Sequence, residues 1–138
     1  MLEVSDLHAF YGKSHVLHGV NFQVRPQEIV ALLGRNGSGR STTVKTIMGL
    51  VDGTGDIRWR GQPILGRKAF EIAYAGIGYV PEDRQVFPEH SVEDNLLIGA
   101  KKGPDGQDFW NLERIYEVLP LLVPLKERMA GRLSGGEQ

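Results

Sequence analysis

Two glycine-rich stretches hold residue types and spacings suited to phosphate chemistry. The first is GRNGSGRS, residues 34–41, where Gly34 and Gly39 flank four residues and precede a cation, Arg40, and a hydroxyl, Ser41. This is the G-x-x-x-x-G-K-[ST] pattern with arginine in place of lysine. Glycines let successive backbone N–H groups turn inward around phosphate oxygens, and a following helix adds the positive end of its dipole. Ser41 offers a hydroxyl to Mg²⁺ and Arg40 a full charge to the β/γ-phosphates. Arginine keeps the charge of lysine but is a longer, planar fork. Lys45 lies over a turn deeper and reads as solvent-facing. The relaxed pattern arises by chance in roughly 1% of chains of this size, so a ligand-free glycine-rich turn is the competing reading. The second stretch is LSGGEQ, residues 133–138, whose chance occurrence is about 10⁻⁵.

The elements around these motifs must position them. Leu2 to Phe10 reads as an irregular strand, and Val20, Phe22 and Val24 alternate as a half-buried one. EIVALL, residues 28–33, is a short apolar run of the kind buried on both faces of a parallel sheet. A helix from Ser41 to Leu50 is expected to turn Val44, Ile47 and Met48 to one side. Ile57 and Trp59 mark a strand before a Gly-Gln turn, and residues 68–75 a short helix ended by Gly76. IGYV, residues 77–80, reads as a second buried strand stopped by Pro81. Ser91 and Asp94 form a capping box for a helix ending near Gly99. Residues 101–108 read as a loop, with Asp108 capping a helix that carries Leu112, Ile115, Val118 and Leu119. Leu125 to Ala130 is expected to be helical. Strands, a helix, a strand and then mostly helices describe an α/β core with a helical insert.

Composition narrows the function classes. The 138 residues carry a net charge of −1, 41% hydrophobic and 24% charged residues, which is a globular balance. Such neutrality gives no support to bulk nucleic-acid or polybasic membrane binding. The absence of cysteine excludes disulfide scaffolds, thiolate metal sites and thiol catalysis. Apolar runs fall far short of a membrane span. Glu3 and Asp6 argue against a signal peptide, so a cytoplasmic location is expected. His8, His15, His18 and His90 lack metal-ligand spacing and read as surface or packed residues. Trp59 and Trp110 read as packing residues, and Glu93 and Asp94 as first-turn helix acids.

With GRNGSGRSTT and LSGGEQ in one chain, the sequence resembles the nucleotide-binding subunits of ABC transporters along its whole length. GIGYVPEDRQVFPEHSVEDNLLIGA and LEVSDLHAFYGKSHVLHGV look most like the ATP-binding proteins of branched-chain amino acid importers, with urea importers as near neighbours. The resemblance implies a P-loop NTPase core with an N-terminal antiparallel β subdomain and a partial helical subdomain. It divides the chain into 1–27, the start of the β subdomain; 28–81, core strands and helix; and 82–138, the Q-loop and helical subdomain to the signature. The implied cofactors are ATP and Mg²⁺. By resemblance, Gly34, Asn36, Gly37, Ser38, Gly39, Arg40, Ser41 and Thr42 hold phosphate. Tyr11 matches the A-loop aromatic that stacks on adenine; without the resemblance it reads as a core aromatic at a strand end. Glu82 takes the Q-loop position, where most of the family has glutamine, and reads either as a Mg²⁺ ligand beside Ser41 or as a solvated loop acid. Gln85 is a weaker candidate for that role. Ser134, Gly135 and Gly136 match the signature that contacts ATP on the opposite subunit.

The resemblance also implies parts that follow the signature: the Walker B aspartate and catalytic glutamate, the D-loop and the switch histidine. No residue up to Gln138 matches them, so no catalytic residue is assigned and hydrolysis by these residues alone is expected to be very slow. The strands that separate residues 28–33 from 77–80 in related ATPases come from later sequence, so both runs are expected to present unpaired edges. The expectation is a partial ABC ATPase domain lacking its C-terminal part. Implied partners are permease subunits, a second ATPase subunit and, indirectly, a periplasmic solute-binding protein, with no nucleic acid. The implied location is the inner face of the cell membrane. The alternatives are a nucleotide- or permease-binding module without hydrolysis, and a non-transport ABC protein acting on ribosomes or DNA. The near-neutral charge and the YVPEDRQVFP segment argue against the last.

Overall fold

The structure, a computed structural model, describes residues 1–103, 106 and 109–138. They form two units, Met1–Gly78 and Tyr79–Gln138.

In the first unit, β1 (Leu2–Tyr11) and β2 (Ser14–Val24) form an antiparallel hairpin closed at Gly12 and Lys13. The other edge of β1 pairs with β3 (Gly53–Trp59), which folds back into β4 (Gln62–Pro63), giving the order β2-β1-β3-β4. The inward residues of β1 are Val4, Leu7 and Ala9, a spacing that strict alternation does not allow. A bulge at Ser5 and Asp6 supplies the extra residue: the register shifts against both neighbours there, and Asp6 has a φ of 48°. The irregularity visible in the sequence is therefore a change of strand parity. The β3–β4 turn is Arg60–Gly61, with φ of 51° and 79°. Two left-handed central residues mark a type I′ turn, centred one residue earlier than the expected Gly-Gln turn.

Helix α1 (Arg40–Ile47) packs on β1 and β2. It starts one residue earlier than expected and ends three earlier. Its buried residues are Thr42, Thr43, Thr46 and Ile47, while Val44 is exposed. The apolar-face expectation holds for Ile47 and Met48 and is corrected at Val44, because threonines line the rest of the buried side. Their hydroxyls are satisfied within the helix, Thr43 Oγ1 donating to the Gly39 carbonyl (2.9 Å) and Thr46 Oγ1 to that of Thr42 (2.8 Å). The N–H of Leu50 reaches the Lys45 carbonyl and that of Gly49 the Thr46 carbonyl, a Schellman termination. Helix α2 (Ala69–Tyr74) ends the same way, through Gly76 and Ile77. Leu7, Leu17, Ile57, Ile64 and Ile72 complete the core. Each such side chain contributes about 2 kcal/mol on leaving water. Trp59 packs as expected, its Nε1–H donating to the Ala75 carbonyl at 2.8 Å.

Two expected strands are absent. Residues 28–33 and 77–80 form no regular structure, and Ile29, Leu33 and Val80 are almost fully exposed. Among the described residues neither run has a strand beside it. An extended segment without a ladder partner gains no hydrogen bonds to offset its ordering. The expectation of buried strands with unpaired edges is therefore corrected: both runs are irregular and largely exposed.

In the second unit, α3 (Val92–Ile98) begins with the capping box expected of Ser91 and Asp94. The Asp94 N–H donates to Ser91 Oγ (3.0 Å), and the Ser91 N–H to Asp94 Oδ2 (3.2 Å). Helix α4 (Leu112–Val118) is capped by Asn111, whose Oδ1 accepts the Arg114 N–H at 2.9 Å. The expected cap, Asp108, lies outside the described residues, as do residues 104, 105 and 107 of the expected loop. The helix expected over Leu125 to Ala130 is replaced by two 3₁₀ turns, Pro120–Leu125 and Ala130–Arg132. Met129 is extended (ψ of 128°) and bridges Ser91, which takes the chain out of helical geometry there. Trp110 is not buried as expected. It is half exposed, edge-on to Phe109 and beneath the Arg114 guanidinium.

Candidate functional site

The loop from Gly34 opens directly into α1. Residues 34–38 are exposed, and the chain turns where the Ser38 N–H donates to the Arg35 carbonyl at 3.0 Å. Gly37 and Gly39 have φ of 83° and 89°. Gly39 is the N-cap of α1, and a Cβ there would stand 2.5 Å from Leu17 Cδ2. Both the left-handed backbone and the approach of β2 therefore require glycine. The helix's own bonding begins with the Thr43 N–H on the Gly39 carbonyl at 2.8 Å, which leaves the amides of its first turn without intrahelical acceptors. Arg40 Nη2 donates to Asn36 Oδ1 at 3.2 Å, so the cation lies across the loop and remains exposed. Exposed amides, a helix dipole and a cation on one loop fit a polyphosphate.

Ser41 and Thr42 follow in the first turn, Ser41 exposed and Thr42 buried. Tyr11 closes β1 and is half exposed rather than packed in the core. The nearby histidines pack on one another: His8 Nδ1 lies 2.9 Å from His15 Nε2, and the His15 and His18 ring centroids are 4.0 Å apart. Among the described residues no group of histidines and acids could hold a metal ion. Lys45 is exposed, as expected.

The second phosphate candidate stands in the other unit. Ser134 begins a turn in which the Glu137 and Gln138 N–H groups donate to its carbonyl. Glu137 Oε2 accepts the Ser134 N–H at 2.7 Å, and its hydrogen bonds to Ser134 hold this carboxyl below its ordinary range. Gln138 Nε2 donates to the Ala130 carbonyl at 3.0 Å. The approach to the turn is laced to residues 88–93: the Ala130 N–H reaches the His90 carbonyl (2.9 Å) and the Gly131 N–H that of Pro88 (3.1 Å). Glu82 is exposed in the turn after Pro81, and Gln85 is held by Asp83 at 2.8 Å.

Asn95 is a positioning residue that the sequence reading did not single out. Its Oδ1 accepts the Phe87 N–H (2.8 Å), and its Nδ2 donates to the carbonyls of Phe87 (3.0 Å) and Ser91 (2.8 Å). It thereby ties the segment after Glu82 to α3. The available signal was an asparagine within a helix, where such residues are unfavourable unless bonded to nearby backbone.

Residues 17–138 match the family model described as ABC transporter. The chain is 37% identical over 140 residues to the high-affinity branched-chain amino acid transport ATP-binding protein BraG of Pseudomonas aeruginosa, covering all of this chain and 60% of that protein. It is 33% identical over 139 residues to the probable branched-chain amino acid transport ATP-binding protein LivF of Archaeoglobus fulgidus, covering all of this chain and 59% of that protein. In structure it is similar to an ATP-binding cassette of an ABC transporter in its ADP conformation. That match has a TM-score of 0.74 and 27% identity, over 99% of this chain and 59% of the other. The chain thus spans about three fifths of the length of the curated relatives it matches. Among the described residues no helix is long and apolar enough to cross a membrane.

Proposed function

The chain belongs to the ABC transporter family, and from that membership we propose that it binds Mg·ATP as the nucleotide-binding subunit of an importer. The observation that carries the reading is the exposed loop at Gly34 to Ser38, which opens α1 through the left-handed Gly37 and the buried, left-handed Gly39. Its backbone amides receive the β- and γ-phosphates, and Arg40 neutralises them from its position against Asn36. Ser41 supplies the hydroxyl to Mg²⁺, and Glu82, at the Q-loop position by resemblance, is a separate candidate oxygen ligand. Tyr11, half exposed at the end of β1, offers its ring to adenine. Ser134, Gly135 and Gly136 meet the ATP of a second subunit, so that two subunits enclose two nucleotides. Closure of that sandwich drives permease subunits through the segment after Glu82, at the inner face of the membrane. ATP hydrolysis is part of this proposal, as is a branched-chain amino acid cargo, for which the similarity to BraG and LivF is the support.

The test is binding of a fluorescent ATP analogue with Mg²⁺. Arg40→Ala is expected to lose about tenfold in affinity, the worth of one charge-assisted hydrogen bond, and Arg40→Lys to keep most of it. Equal affinity in Arg40→Ala and the parent would remove the phosphate role. Uptake of leucine, against ribose or urea, by vesicles containing the protein with its permease tests the cargo.

A further inference from the structure

Arg84 lies in the segment after Glu82 with a left-handed φ of 48°, and its carbonyl accepts the Val86 N–H at 2.8 Å. Its guanidinium rests on Gly135. A Cβ at residue 135 would overlap Nη1 and stand 3.2 Å from Nη2. A side chain at residue 135 would turn this flexible guanidinium aside. Gly136 is different, since a Cβ there would meet nothing within 4 Å. The two adjacent glycines of the SGG turn are thus used differently: one takes a cation against its backbone, and the other keeps an open face.

The turn also carries a negative charge of its own. Glu137 accepts the Ser134 N–H, and those hydrogen bonds hold its carboxyl in the ionised form. A carboxylate bound to the serine that must meet a phosphate opposes that meeting unless a cation stands on the same turn. Arg128 acts on Glu137 by charge, and the exposed Arg84 is the cation set against Gly135 itself. Guanidinium is planar and weakly hydrated, so it can lie flat on a glycine while its remaining donors address an incoming phosphate in pairs.

We propose that Arg84 is a phosphate-contacting residue of the signature turn, supplying the positive charge with which Ser134–Gly136 receive the terminal phosphate of ATP held by a second subunit. The proposal rests on the nucleotide-sandwich reading above. The two are separated by measuring, on the full chain, ATP affinity with a fluorescent analogue and ATP-driven self-association by sedimentation. Arg84→Met keeps most of the volume and loses the charge, and Arg84→Lys keeps the charge. Arg84→Met is expected to weaken ATP-driven association about tenfold at low salt while ATP affinity at the Gly34 loop stays within about twofold. Arg84→Lys is expected to recover most of the loss, which a residue that merely fills space would not do. Association of Arg84→Met as tight as the parent's overturns this inference alone. ATP binding without any ATP-driven association in the parent overturns the sandwich reading, and this inference with it.

Discussion

At the Gly34–Thr42 loop the backbone is held from beneath by buried side chains. Thr42, Thr43, Thr46 and Ile47 are packed under α1, and Leu17 of β2 presses on Gly39. At the Ser134–Gly136 turn no such floor exists among the described residues. The 3₁₀ turn before it buries only Ala130, and the turn is placed by polar bonds: Glu137 on Ser134, Gln138 on Ala130, Gly131 on Pro88 and Arg84 on Gly135. Both are glycine-rich turns, but buried side chains hold the first and hydrogen bonds hold the second. Apolar packing responds weakly to pH and salt, whereas exposed polar bonds respond to both. Under the proposed function, the difference would suit a loop that keeps its nucleotide and a turn that meets and releases one from another subunit.

The sharpest way to break this contrast is at the packed loop. Gly39→Val places a branched side chain at a left-handed φ and against Leu17. It is expected to cost about 3 kcal/mol or more in denaturant unfolding of residues 1–78 and to abolish ATP binding. A variant that kept both would show that Leu17 does not set the loop. Next is Asn95→Ala, which leaves the Phe87 N–H without its acceptor, while the Phe87 and Ser91 carbonyls keep the N–H groups of His90 and Asn95. A loss of about 2 kcal/mol is expected, visible as faster hydrogen exchange over residues 85–98 and unchanged exchange in β1–β3. Equal acceleration in both regions would contradict the division.

Smaller effects probe the polar side of the contrast. Ser91→Ala is expected to cost about 1 kcal/mol as a lost N-cap. Asp94 has its carboxyl pulled below its ordinary value of 3.8 by hydrogen bonds from Ser91. A depressed carboxyl stabilises the folded state above the unfolded value, and that contribution goes as pH falls through the lower folded value. Acid titration should therefore fray α3 below about pH 4, and Ser91→Ala should flatten the dependence. Thermal melts across this range check both. Smallest is the titration of Tyr116, pushed up to about 12 by burial and then by its hydrogen bond to Glu93. The Tyr116 hydroxyl donates to Glu93 Oε2 at 2.8 Å. Glu93→Gln removes the charge and leaves the burial, so the ring should titrate lower, though still above the ordinary 10.0. An unchanged titration, followed by NMR of the ring, would mean burial alone sets it.

Much of the site was legible because its determinants are local. The GRNGSGRS turn, the Ser91–Asp94 box and the stop at Gly76 are each closed by bonds within a few residues, and local chemistry specifies such features wherever they occur. What was misread depended on neighbours distant in sequence. Val44 was expected to face the core and Thr46 was not. On an eight-residue helix with mixed sides, the sheet packed against it chooses the buried face. The hydrogen bonds of Asn95 and the seat of Arg84 on Gly135 bring together residues with no shared local pattern. Arg84 left no signal at all.

The sequence by itself therefore determined the two glycine-rich turns, the capped helices and the family membership, because backbone turns and caps satisfy their own donors and acceptors. Tertiary structure alone decided the strands. EIVALL and IGYV have the composition of buried strands, yet Ile29, Leu33 and Val80 stand in water. A strand, unlike a helix, finds its hydrogen bonds only on another segment. Composition prepares a segment to be a strand, and only a neighbour completes it.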